Sequence, residues 1–386
     1  MSFLTDVCSI QYGYPFDSAL FNSNDGTPLV RIRDVVPGFS NTYTTEKCDE
    51  CYYVENDDML IGMDGEFNIA YWKGGHAYLN QRVCKIIPKE GVHKRYLFYQ
   101  LMPILKRIEN RTAFVTVKHL SAKELNKIEL SLPDFPRQQR IADTLDKVSE
   151  GIGLCRKMLG KLDLMVKAKF VEMFGDPVSN EREWNVETLN DVCTEIGDGL
   201  HGTPEYDDNG EYPFINGNNL INGAIEITPA TKKVNAEIYK KHYIDISANA
   251  LLLSINGTLG KLAFYNGEKV MLGKSACYCN FKPEINRAFV YGVMKTEAFA
   301  GFLEKSATAS TIKNVGLKAI RGYKLIMPPQ ALQMQFIEFS NQVDKSKLAV
   351  KQSLEKLETL KKSLMQERSE ERRVGKECRS RWSPYH

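Results

Sequence analysis

Hydrophobic and polar positions follow two different patterns along this chain. Residues 1–132 and 176–327 are built from short apolar runs, such as LVRIR and ALLLS, which Gly, Asn, Asp and Pro interrupt. Such runs are typical of β-strands and tight turns, and stretches at 93–109 and 286–305 indicate helices among them. Residues 137–172 and 330–366 have few glycines and no proline, so they predict two long helices.

The first of these long helices carries a regular apolar stripe. Its apolar residues recur at alternating steps of four and three, which is the 3.5-residue period of a coiled coil. The predicted pairing seam comprises Ile141, Leu145, Val148, Ile152, Leu159 and Leu162 in the first helix and Val343, Val350, Leu354 and Leu357 in the second. Because one helix cannot bury such a stripe alone, we expect the two to pair in antiparallel fashion. The alternative is that each helix packs on its own globular domain.

The chain is internally duplicated. The matching positions, at an offset that grows along the repeat to 195, include Gly65 with Gly257, Leu130 with Leu325, Pro133 with Pro328 and Gln138 with Gln333. A drifting offset indicates that insertions are spread along the repeat. This is the behaviour of two copies of one domain whose loops have diverged.

Together these patterns predict an α+β chain with two pseudo-repeated α/β domains separated by two long antiparallel coiled-coil helices. The predicted boundaries are 1–132 for the first domain, 133–175 for the first spacer helix, 176–327 for the second domain, 328–367 for the second spacer helix and 368–386 for a tail. No apolar run is long enough to cross a membrane, and the N-terminal residues do not form an export signal. We therefore expect a cytoplasmic protein.

Net charge distinguishes the tail from the rest of the chain. The whole sequence has 51 basic and 48 acidic side chains and a net charge of +3. The tail holds six of the basic and three of the acidic ones, which leaves 45 of each in residues 1–367. Any affinity of this neutral body for nucleic acid must come from where its charges lie. The tail has no apolar period, so we expect it to be foreign to the native chain; the alternative is a natural basic tail that binds DNA non-specifically.

The nine cysteines suit a reducing compartment, because most lie within apolar or mixed stretches where buried thiols are expected. Two close pairs, Cys48 with Cys51 and Cys277 with Cys279, raise the alternative of a structural zinc site. Zinc needs four ligands, and these pairs lie in different halves with no histidine spaced to complete either one. We therefore expect buried thiols and no bound metal.

Motifs of catalysis are missing from the sequence. It contains no GxSxG or HExxH pattern and no DPPY-type segment. The stretch from Gly267 to Ser275 resembles a phosphate-binding loop, but five residues separate its glycines where that loop has four. We interpret the stretch as a hairpin turn, and we expect no catalytic residue in the chain.

Lysines gather at the same place in both copies of the repeat. From Lys305 to Phe336 there is no acidic residue, and Lys313 and Lys318 lie there near small hydroxyl residues. Lys118 occupies the place that matches Lys313 in the first copy, where glutamates dilute the charge. Hydroxyl groups, lysines and exposed backbone N–H groups suit contacts with phosphate. The alternative is an ordinary solvated turn.

A short signature precedes and opens each long helix. It comprises Thr116, Lys118, Leu132, Pro133, Gln138, Arg140 and Ile141 in the first copy and Thr311, Lys313, Met327, Pro328 and Gln333 in the second. The segment YPFING at 212–217 is a further element. With two variable domains, each followed by such a helix start, the chain resembles the specificity subunits of Type I restriction–modification systems over residues 1–366.

The resemblance implies a non-catalytic reader of double-stranded DNA. The two α/β domains would be target-recognition domains, each contacting one half of a split sequence, while the helices set the gap. Modification (methyltransferase) subunits would bring S-adenosylmethionine and restriction (translocase and endonuclease) subunits would bring ATP and Mg²⁺, so this chain would bind no cofactor. The candidate DNA-binding residues are Arg31, Arg33, Lys118, Asn216, Asn218, Asn219, Lys274, Lys313 and Lys318.

Two other classes of function stay open at this point. The chain could be a coiled-coil scaffold that gathers proteins without sequence-specific DNA binding, which its neutral body slightly favours. It could also be an enzyme such as a fused methyltransferase, which the missing cofactor motifs disfavour.

Overall fold

The computed structural model describes residues 2–111 and 118–380 and, up to Met365, their side chains. Thr116 of the signature and the last six residues of the tail lie outside the described residues. The chain divides into two compact units. Unit 1 consists of residues 1–156 together with 352–386, and unit 2 consists of Lys157–Lys351.

Unit 1 combines short strands with helices. Its strands are β1 (Ser2–Phe3), β2 (Cys8–Tyr12), β3 (Phe21–Asn22), β4 (Thr27–Val30), β5 (Tyr43–Thr44), β6 (Tyr53–Val54), β7 (Met59–Gly62), β8 (Ile69–Tyr71), β9 (Ala77–Leu79), β10 (Val83–Pro88) and β11 (Glu129–Leu130). Its helices are α1 (Leu4–Val7), α2 (Lys94–Arg111), α3 (Ala122–Asn126), the part of α4 (Phe135–Phe174) up to Arg156 and the part of α10 (Gln330–Ser380) from Gln352 onward.

An antiparallel sheet with the strand order β2-β10-β7-β8 lies at the centre of unit 1. On β7, Met59 and Ile61 pack in one buried cluster with residues of α2, whereas Leu60 packs in another with residues of β4 and β9. Successive side chains of a strand point to opposite faces. Both faces of this strand are therefore covered, which explains its uninterrupted apolar run.

Unit 2 has the same kind of composition. Its strands are β12 (Asn185–Thr188), β13 (Cys193–Asp198), β14 (Tyr212–Ile215), β15 (Leu220–Ile221), β16 (Ala224–Ile225), β17 (Lys233–Val234), β18 (Ala250–Ser254), β19 (Leu262–Phe264), β20 (Met271–Leu272), β21 (Ala276–Phe281) and β22 (Lys324–Met327). Its helices are the rest of α4, then α5 (Leu189–Val192), α6 (Ala236–Lys241), α7 (Arg287–Met294), α8 (Glu297–Ser306), α9 (Leu317–Arg321) and the part of α10 (Gln330–Ser380) up to Lys351.

The central strands of the two units have the same arrangement. The sheet β2-β10-β7-β8 corresponds to β13-β21-β18-β19, and the parallel pair of β4 with β9 corresponds to that of β14 with β20. The N–H of Leu4 donates to the carbonyl of Ile128 at 2.8 Å, and the N–H of Leu189 donates to that of Tyr323 at 2.9 Å. The duplicated α+β fold predicted from the sequence is confirmed.

A buried glutamine fixes the start of each long helix. Nε2 of Gln138 donates to the carbonyl of Pro133, and Nε2 of Gln333 donates to that of Pro328, both at 2.8 Å. These residues match in the sequence repeat. Because each amide has a backbone partner, it can lie buried among apolar neighbours.

The prediction of a single helix at 286–305 is wrong, because the structure has two helices there, α7 and α8. Thr296 lies between them, and its hydroxyl accepts a hydrogen bond from the N–H of Phe299 at 3.4 Å. A threonine stabilises the first turn of a helix better than its interior, so α8 begins anew at this point.

In unit 1, the beginning of α4 packs against the end of α10. Leu364 of α10 packs on the buried cluster that contains Ile141 and Leu145 of α4. Further along the same pair, a guanidinium nitrogen of Arg156 donates to Oε1 of Glu358 at 2.7 Å. Early residues of one helix meet late residues of the other, so the pairing is antiparallel.

In unit 2, the end of α4 packs against the beginning of α10. The rings of Phe170 and Phe336 lie 5.4 Å apart, and Nζ of Lys347 is 2.8 Å from Oδ1 of Asp163. The same two phenylalanines also belong to the core of the α/β domain. The predicted antiparallel pairing is confirmed within each unit, and packing on the neighbouring domain, which the sequence analysis treated as the alternative, accompanies it.

The predicted seam is buried to different degrees along its length. The buried members are Ile141, Leu145, Val148, Ile152 and Val343, and the half-buried ones are Leu159, Leu162, Val350, Leu354 and Leu357. Helix α10 continues to Ser380, whereas the sequence pattern predicts an end at 367.

Candidate nucleic-acid interface

Unit 1 has a tight turn, residues 31–34, directly after strand β4; we name it turn 1. The N–H of Arg31 donates to Oδ2 of Asp34 at 2.9 Å, and the hydroxyl of Ser40 donates to the same oxygen at 3.1 Å. Asp34 is buried, so its carboxylate holds the turn from the inside. Arg31 and Arg33 are therefore the first and third residues of a turn whose backbone is fixed.

Unit 2 has the same turn at residues 216–219, directly after β14; we name it turn 2. The N–H of Asn216 donates to Oδ1 of Asn219 at 3.0 Å, which repeats the bond from Arg31 to Asp34. Oδ1 of Asn216 accepts from the N–H of Asn218 at 2.9 Å, and Nδ2 of Asn219 donates to the carbonyl of Glu226 at 2.9 Å. The three predicted asparagines thus form one hydrogen-bonded turn.

The second residue of each turn faces a strand. In unit 1 the turn residue is large and the strand residue is a glycine, whereas in unit 2 the turn residue is the glycine. In turn 1 this residue is Ile32, and the small partner is Gly62 of β7, where an added Cβ would lie 3.2 Å from the Ile32 side chain. In turn 2 it is Gly217, where an added Cβ would lie 2.7 Å from Cβ of Ser254 on β18. The turns therefore occupy the same place against the same strand.

The arginines of turn 1 differ in exposure. The Arg33 side chain is 67% exposed. One of its terminal nitrogens donates to Oγ1 of Thr42 at 2.9 Å, and its Nε lies 3.9 Å from Oδ1 of Asp34. Arg31 is half-buried, with its guanidinium 5.7 Å from the centre of the Phe21 ring. Arg33 is the one that extends into solvent.

An open cleft of about 300 Å³ adjoins turn 2. Asn216, Asn218 and Asn219 line one side of it, and its wall includes the rings of Tyr206 and Phe214, which pack edge to face at 5.7 Å. Lys232, which is not among the candidates predicted from the sequence, also lines the cleft. The signal that could have identified the cleft is the mixture of aromatic and amide residues between Tyr206 and Asn219.

Backbone hydrogen bonds join the turns to the segments that carry the predicted lysines. In unit 2, the N–H of Gly217 donates to Oγ of Ser275, and the N–H of Ile255 donates to the carbonyl of Ser275. The N–H of Val315 then donates to the carbonyl of Ile255 at 2.9 Å, and that of Gly257 donates to Lys313 at 2.9 Å. Turn 2, Lys274 and Lys313 therefore lie along one edge of the unit.

Unit 1 repeats this edge with other side chains. The N–H of Gly65 donates to the carbonyl of Lys118 at 2.9 Å, as Gly257 does to Lys313. Arg82 takes the place of Ser275, and its Nε lies 3.3 Å from Oδ2 of Asp64. Arg82 is half exposed and is a second basic residue that is not among the candidates predicted from the sequence.

Lys118 and Lys313 have different surroundings. Nζ of Lys118 is 3.7 Å from Oε1 of the buried Glu109, which also accepts from Lys106 at 2.7 Å. Burial alone would raise the pKa of Glu109, but the hydrogen bonds from Lys106 and from the N–H of Phe67, with the charge of Lys118, hold it below 4.5. Lys313 pairs with the exposed Glu304 instead, so its ammonium group is the more accessible of the two.

Other parts of the predicted basic segment are occupied within unit 2. The guanidinium of Arg321 donates to the carbonyl of Ile196. The hydroxyl of Ser310 donates to the carbonyl of Ile312 at 2.6 Å, and that of Thr308 accepts from the N–H of Asn314 at 3.2 Å. Lys318 and Lys274 are exposed. The hydroxyl groups of this segment therefore shape its loop.

Two sequence interpretations need correction. Cys51 is exposed and Cys48 is half-buried, so this pair is not buried, whereas Cys277 and Cys279 are. The turn from Gly273 to Ala276 joins β20 and β21, which belong to different sheets, so the stretch is not a hairpin. Across residues 2–111 and 118–380, no cluster of three His, Cys, Asp or Glu is arranged to hold a metal ion. Among the helices in the described ranges, none combines the length and apolar character that a membrane span requires.

Comparison with known proteins assigns the chain to a family. The model of the Type I restriction modification DNA specificity domain matches it twice, over residues 1–162 and 181–361. The chain belongs to this family. The resemblance noted in the sequence is thereby confirmed, and the chain is a DNA specificity subunit of the Type I restriction–modification class. The two matches correspond to the two copies of the repeat.

Individual members of the family resemble the chain over most of its length. The specificity subunit of the Type I restriction enzyme EcoBI of Escherichia coli is 26% identical over 399 residues, covering 94% of this chain and 83% of that protein. The specificity subunit of the enzyme MjaIX of Methanocaldococcus jannaschii is 27% identical over 183 residues, 42% of each chain.

Solved structures show the same fold. The Type I restriction–modification S subunit from M. genitalium has a TM-score of 0.52 at 14% identity, covering 95% of both chains. A chain from a structure described as showing complex assembly and conformational transition of the Type I R-M system has a TM-score of 0.56 at 16% identity, covering 95% of this chain and 96% of that one.

Proposed function

We propose that this subunit reads a split DNA target, with turn 1 contacting one half and turn 2 the other. The observation that carries the proposal is the repeated turn. Both turns are closed by a bond from the first backbone N–H to the fourth side chain, yet Arg33 lies where the other turn has Asn218. A common frame with different exposed side chains is what two modules need in order to read different bases.

The lysines along the same edges would contact the DNA backbone. Lys274, Lys313 and Lys318 are exposed in unit 2, and Lys118 is the counterpart of Lys313 in unit 1. Contacts with phosphate position a protein on the duplex without reading its sequence. In this proposal the turns supply specificity and these lysines supply affinity, while the paired helices set the gap between the half-sites.

The chain itself would catalyse no reaction. It would act in the cytoplasm, bound to modification subunits that bring S-adenosylmethionine and restriction subunits that bring ATP and Mg²⁺. Its similarity to specificity subunits of Type I restriction enzymes supports this division of work. The sequence has no DPPY-type methyltransferase segment, and its GxGxxG match at Gly197–Gly202 opens no helix, as a dinucleotide-binding turn would.

Mapping of methylated adenines tests the proposal directly. The full chain would be expressed with the modification subunit of its source strain in a host that lacks other adenine methyltransferases. We expect methylation within one motif of two specific halves separated by a fixed number of unspecified bases. Methylation at single, ungapped motifs, or at no defined motif, would contradict the proposal.

Salt dependence distinguishes a DNA reader from a protein scaffold. A reader should lose affinity linearly in a plot of log affinity against log salt, with a slope near 0.9 for each phosphate contact. Lys318→Gln should lower that slope by about one unit on every sequence, whereas Lys351→Gln on the exposed side of α10 should leave it unchanged. A scaffold would bind duplex DNA weakly in all of these forms.

A further inference from the structure

Our inference rests on the proposed function and names the side chains that read bases. Turn 2 contains three asparagines, but they are not equally available. Oδ1 of Asn219 accepts from the N–H of Asn216, and Nδ2 of Asn219 donates to the carbonyl of Glu226. Both atoms of this carboxamide therefore hold the turn together, and a base could replace them only by breaking it.

Asn216 and Asn218 differ in the same way. Oδ1 of Asn216 accepts from the N–H of Asn218, so one half of the Asn216 carboxamide is occupied. Within the described part of the chain, no hydrogen bond is found to the carboxamide of Asn218, which is exposed and lines the open cleft. Of the three, Asn218 presents both an acceptor and two donors to an incoming molecule.

Adenine is the base that such a carboxamide recognises. In the major groove it presents the N7 acceptor beside the N6 donor, and one Asn side chain can pair with both. The apolar wall of the cleft, formed by Tyr206 and Phe214, suits the methyl group that the partner thymine exposes in the same groove. The cleft thus offers complementary groups for one A·T pair.

Arg33 occupies the position of Asn218 in turn 1. Its guanidinium has five N–H donors, and the hydrogen bond to Thr42 uses one of them. A guanidinium pairs with the O6 and N7 acceptors of guanine through two parallel hydrogen bonds. Arg31, half-buried and placed over Phe21, is less able to reach a base edge.

We propose that Asn218 reads an adenine in one half-site and that Arg33 reads a guanine at the equivalent position of the other half-site. Position three of the repeated turn is then the reading position of both units. Position four, Asp34 or Asn219, has a structural role in both.

Enrichment of bound duplexes from a random library tests this inference. The full chain, alone and assembled with its modification subunit, would be compared with Asn218→Asp, Asn218→Ala and Arg33→Lys. Asn190→Asp, which changes an exposed asparagine on α5 by the same charge, is the matched control. Thermal unfolding of each variant would establish that it is folded as the parent chain is.

We expect the parent motif to contain an adenine in one half and a guanine in the other whose selectivity depends on these residues. Asn218→Ala should lower discrimination at that one adenine by about 5- to 150-fold, and Asn218→Asp should favour cytosine there, because a carboxylate accepts from its N4 amino group. Arg33→Lys should relax a single guanine in the other half, since it keeps the charge but loses the planar fork. Asn190→Asp should leave the motif unchanged.

Different outcomes would contradict the proposed function and the assignment of position three. If the parent chain enriches no motif in either form, the proposed function is wrong. If it enriches a two-part motif that Asn218→Asp, Asn218→Ala and Arg33→Lys leave unchanged, the DNA reader stands and the assignment of position three is wrong. A variant that changes several positions in both halves also overturns the assignment, because a base contact acts at one position.

Discussion

Gly292 of α7 lies where a methyl group has no room. An added Cβ would be 2.7 Å from Cε1 and 3.3 Å from Cζ of Phe336. The Phe336 ring is 2% exposed and is held on other sides by Phe170 and Phe174, whose ring centres are 5.4 and 5.7 Å away. The ring therefore cannot move aside without displacing other buried aromatic side chains.

Two effects of Gly292→Ala oppose each other. Alanine in a helix interior is favoured over glycine by about 0.5–1 kcal/mol, because glycine loses more backbone entropy on folding. Forcing an extra methyl group into a packed core costs about 1–3 kcal/mol. A Cβ at 2.7 Å is closer than real contacts allow, so the cost should exceed the gain. We expect the free energy of unfolding to fall by about 1–2 kcal/mol.

Urea unfolding, followed by tryptophan fluorescence and circular dichroism, measures this difference. Gly301→Ala in α8 is the matched control, because no described atom lies within 4 Å of its added Cβ. It should raise stability by about 0.5–1 kcal/mol. In the background of Phe336→Leu, which removes the ring, Gly292→Ala should become neutral or stabilising. The packing argument is refuted if Gly292→Ala and Gly301→Ala raise stability equally.

Three further predictions follow from buried polar groups. The pKa of Glu109 is depressed in the folded state, so the stability that its carboxylate contributes is present above pH 4.5 and is lost as the pH falls through the folded-state pKa. The thermal unfolding temperature of Glu109→Gln should therefore differ from that of the parent near neutral pH and converge with it in acid. Gln138→Leu should lower the free energy of unfolding more than Gln333→Leu, by about 1–3 kcal/mol, because Gln138 also bonds to the backbone of Gly91 and His93. Asp34→Ala should cost about 1–2 kcal/mol and Asp34→Asn less, since an asparagine closes the equivalent turn of unit 2.

Each of these has an outcome that contradicts it. A Glu109→Gln curve parallel to that of the parent at every pH would show that the carboxylate is not stabilised by its neighbours. Equal losses for the two glutamine variants would mean that the extra bonds of Gln138 contribute little. Equal losses for Asp34→Ala and Asp34→Asn would mean that the turn needs a charge as well as an acceptor.

The repeat is the part of the fold that the sequence predicted best. Gln138 and Gln333 match in the sequence and make the same bond in the structure, and Gly65 and Gly257 also make equivalent bonds. A matched pair of residues carries information that a single residue lacks, because the same structural need has been met twice. The long helices could be predicted for a related reason, since an apolar period of 3.5 residues persists along the chain.

Long-range pairing could not be predicted from local patterns. The basic segments of the two copies look alike in the sequence, yet Lys118 is held by the buried Glu109 whereas Lys313 pairs with an exposed glutamate. Arg321 likewise donates to a carbonyl far away in the sequence. A count of local charge treats all of these residues as equal, and only the fold shows which of them are available.

The break between α7 and α8 was missed for a local reason. A threonine followed by a glutamate, as at Thr296 and Glu297, is compatible with a continued helix and with a new N-terminus. The prediction that Cys48 and Cys51 are buried was wrong for a different reason. A short mixed segment indicates a loop, but it does not tell how deeply that loop is buried.

The structure of the turns shows how one backbone frame can carry different exposed side chains, as the proposed reading of two half-sites requires. Asp34 and Asn219 hold the turns through the first backbone N–H, so the bonds that define the backbone do not involve the side chain at position three. Arg33 can therefore be exchanged for an asparagine without removing a bond that closes the turn. In our proposal, stability and recognition reside in neighbouring but different residues. If position three reads the base, a substitution there should alter which base is favoured while the free energy of unfolding stays nearly constant, because an exposed side chain contributes little to stability.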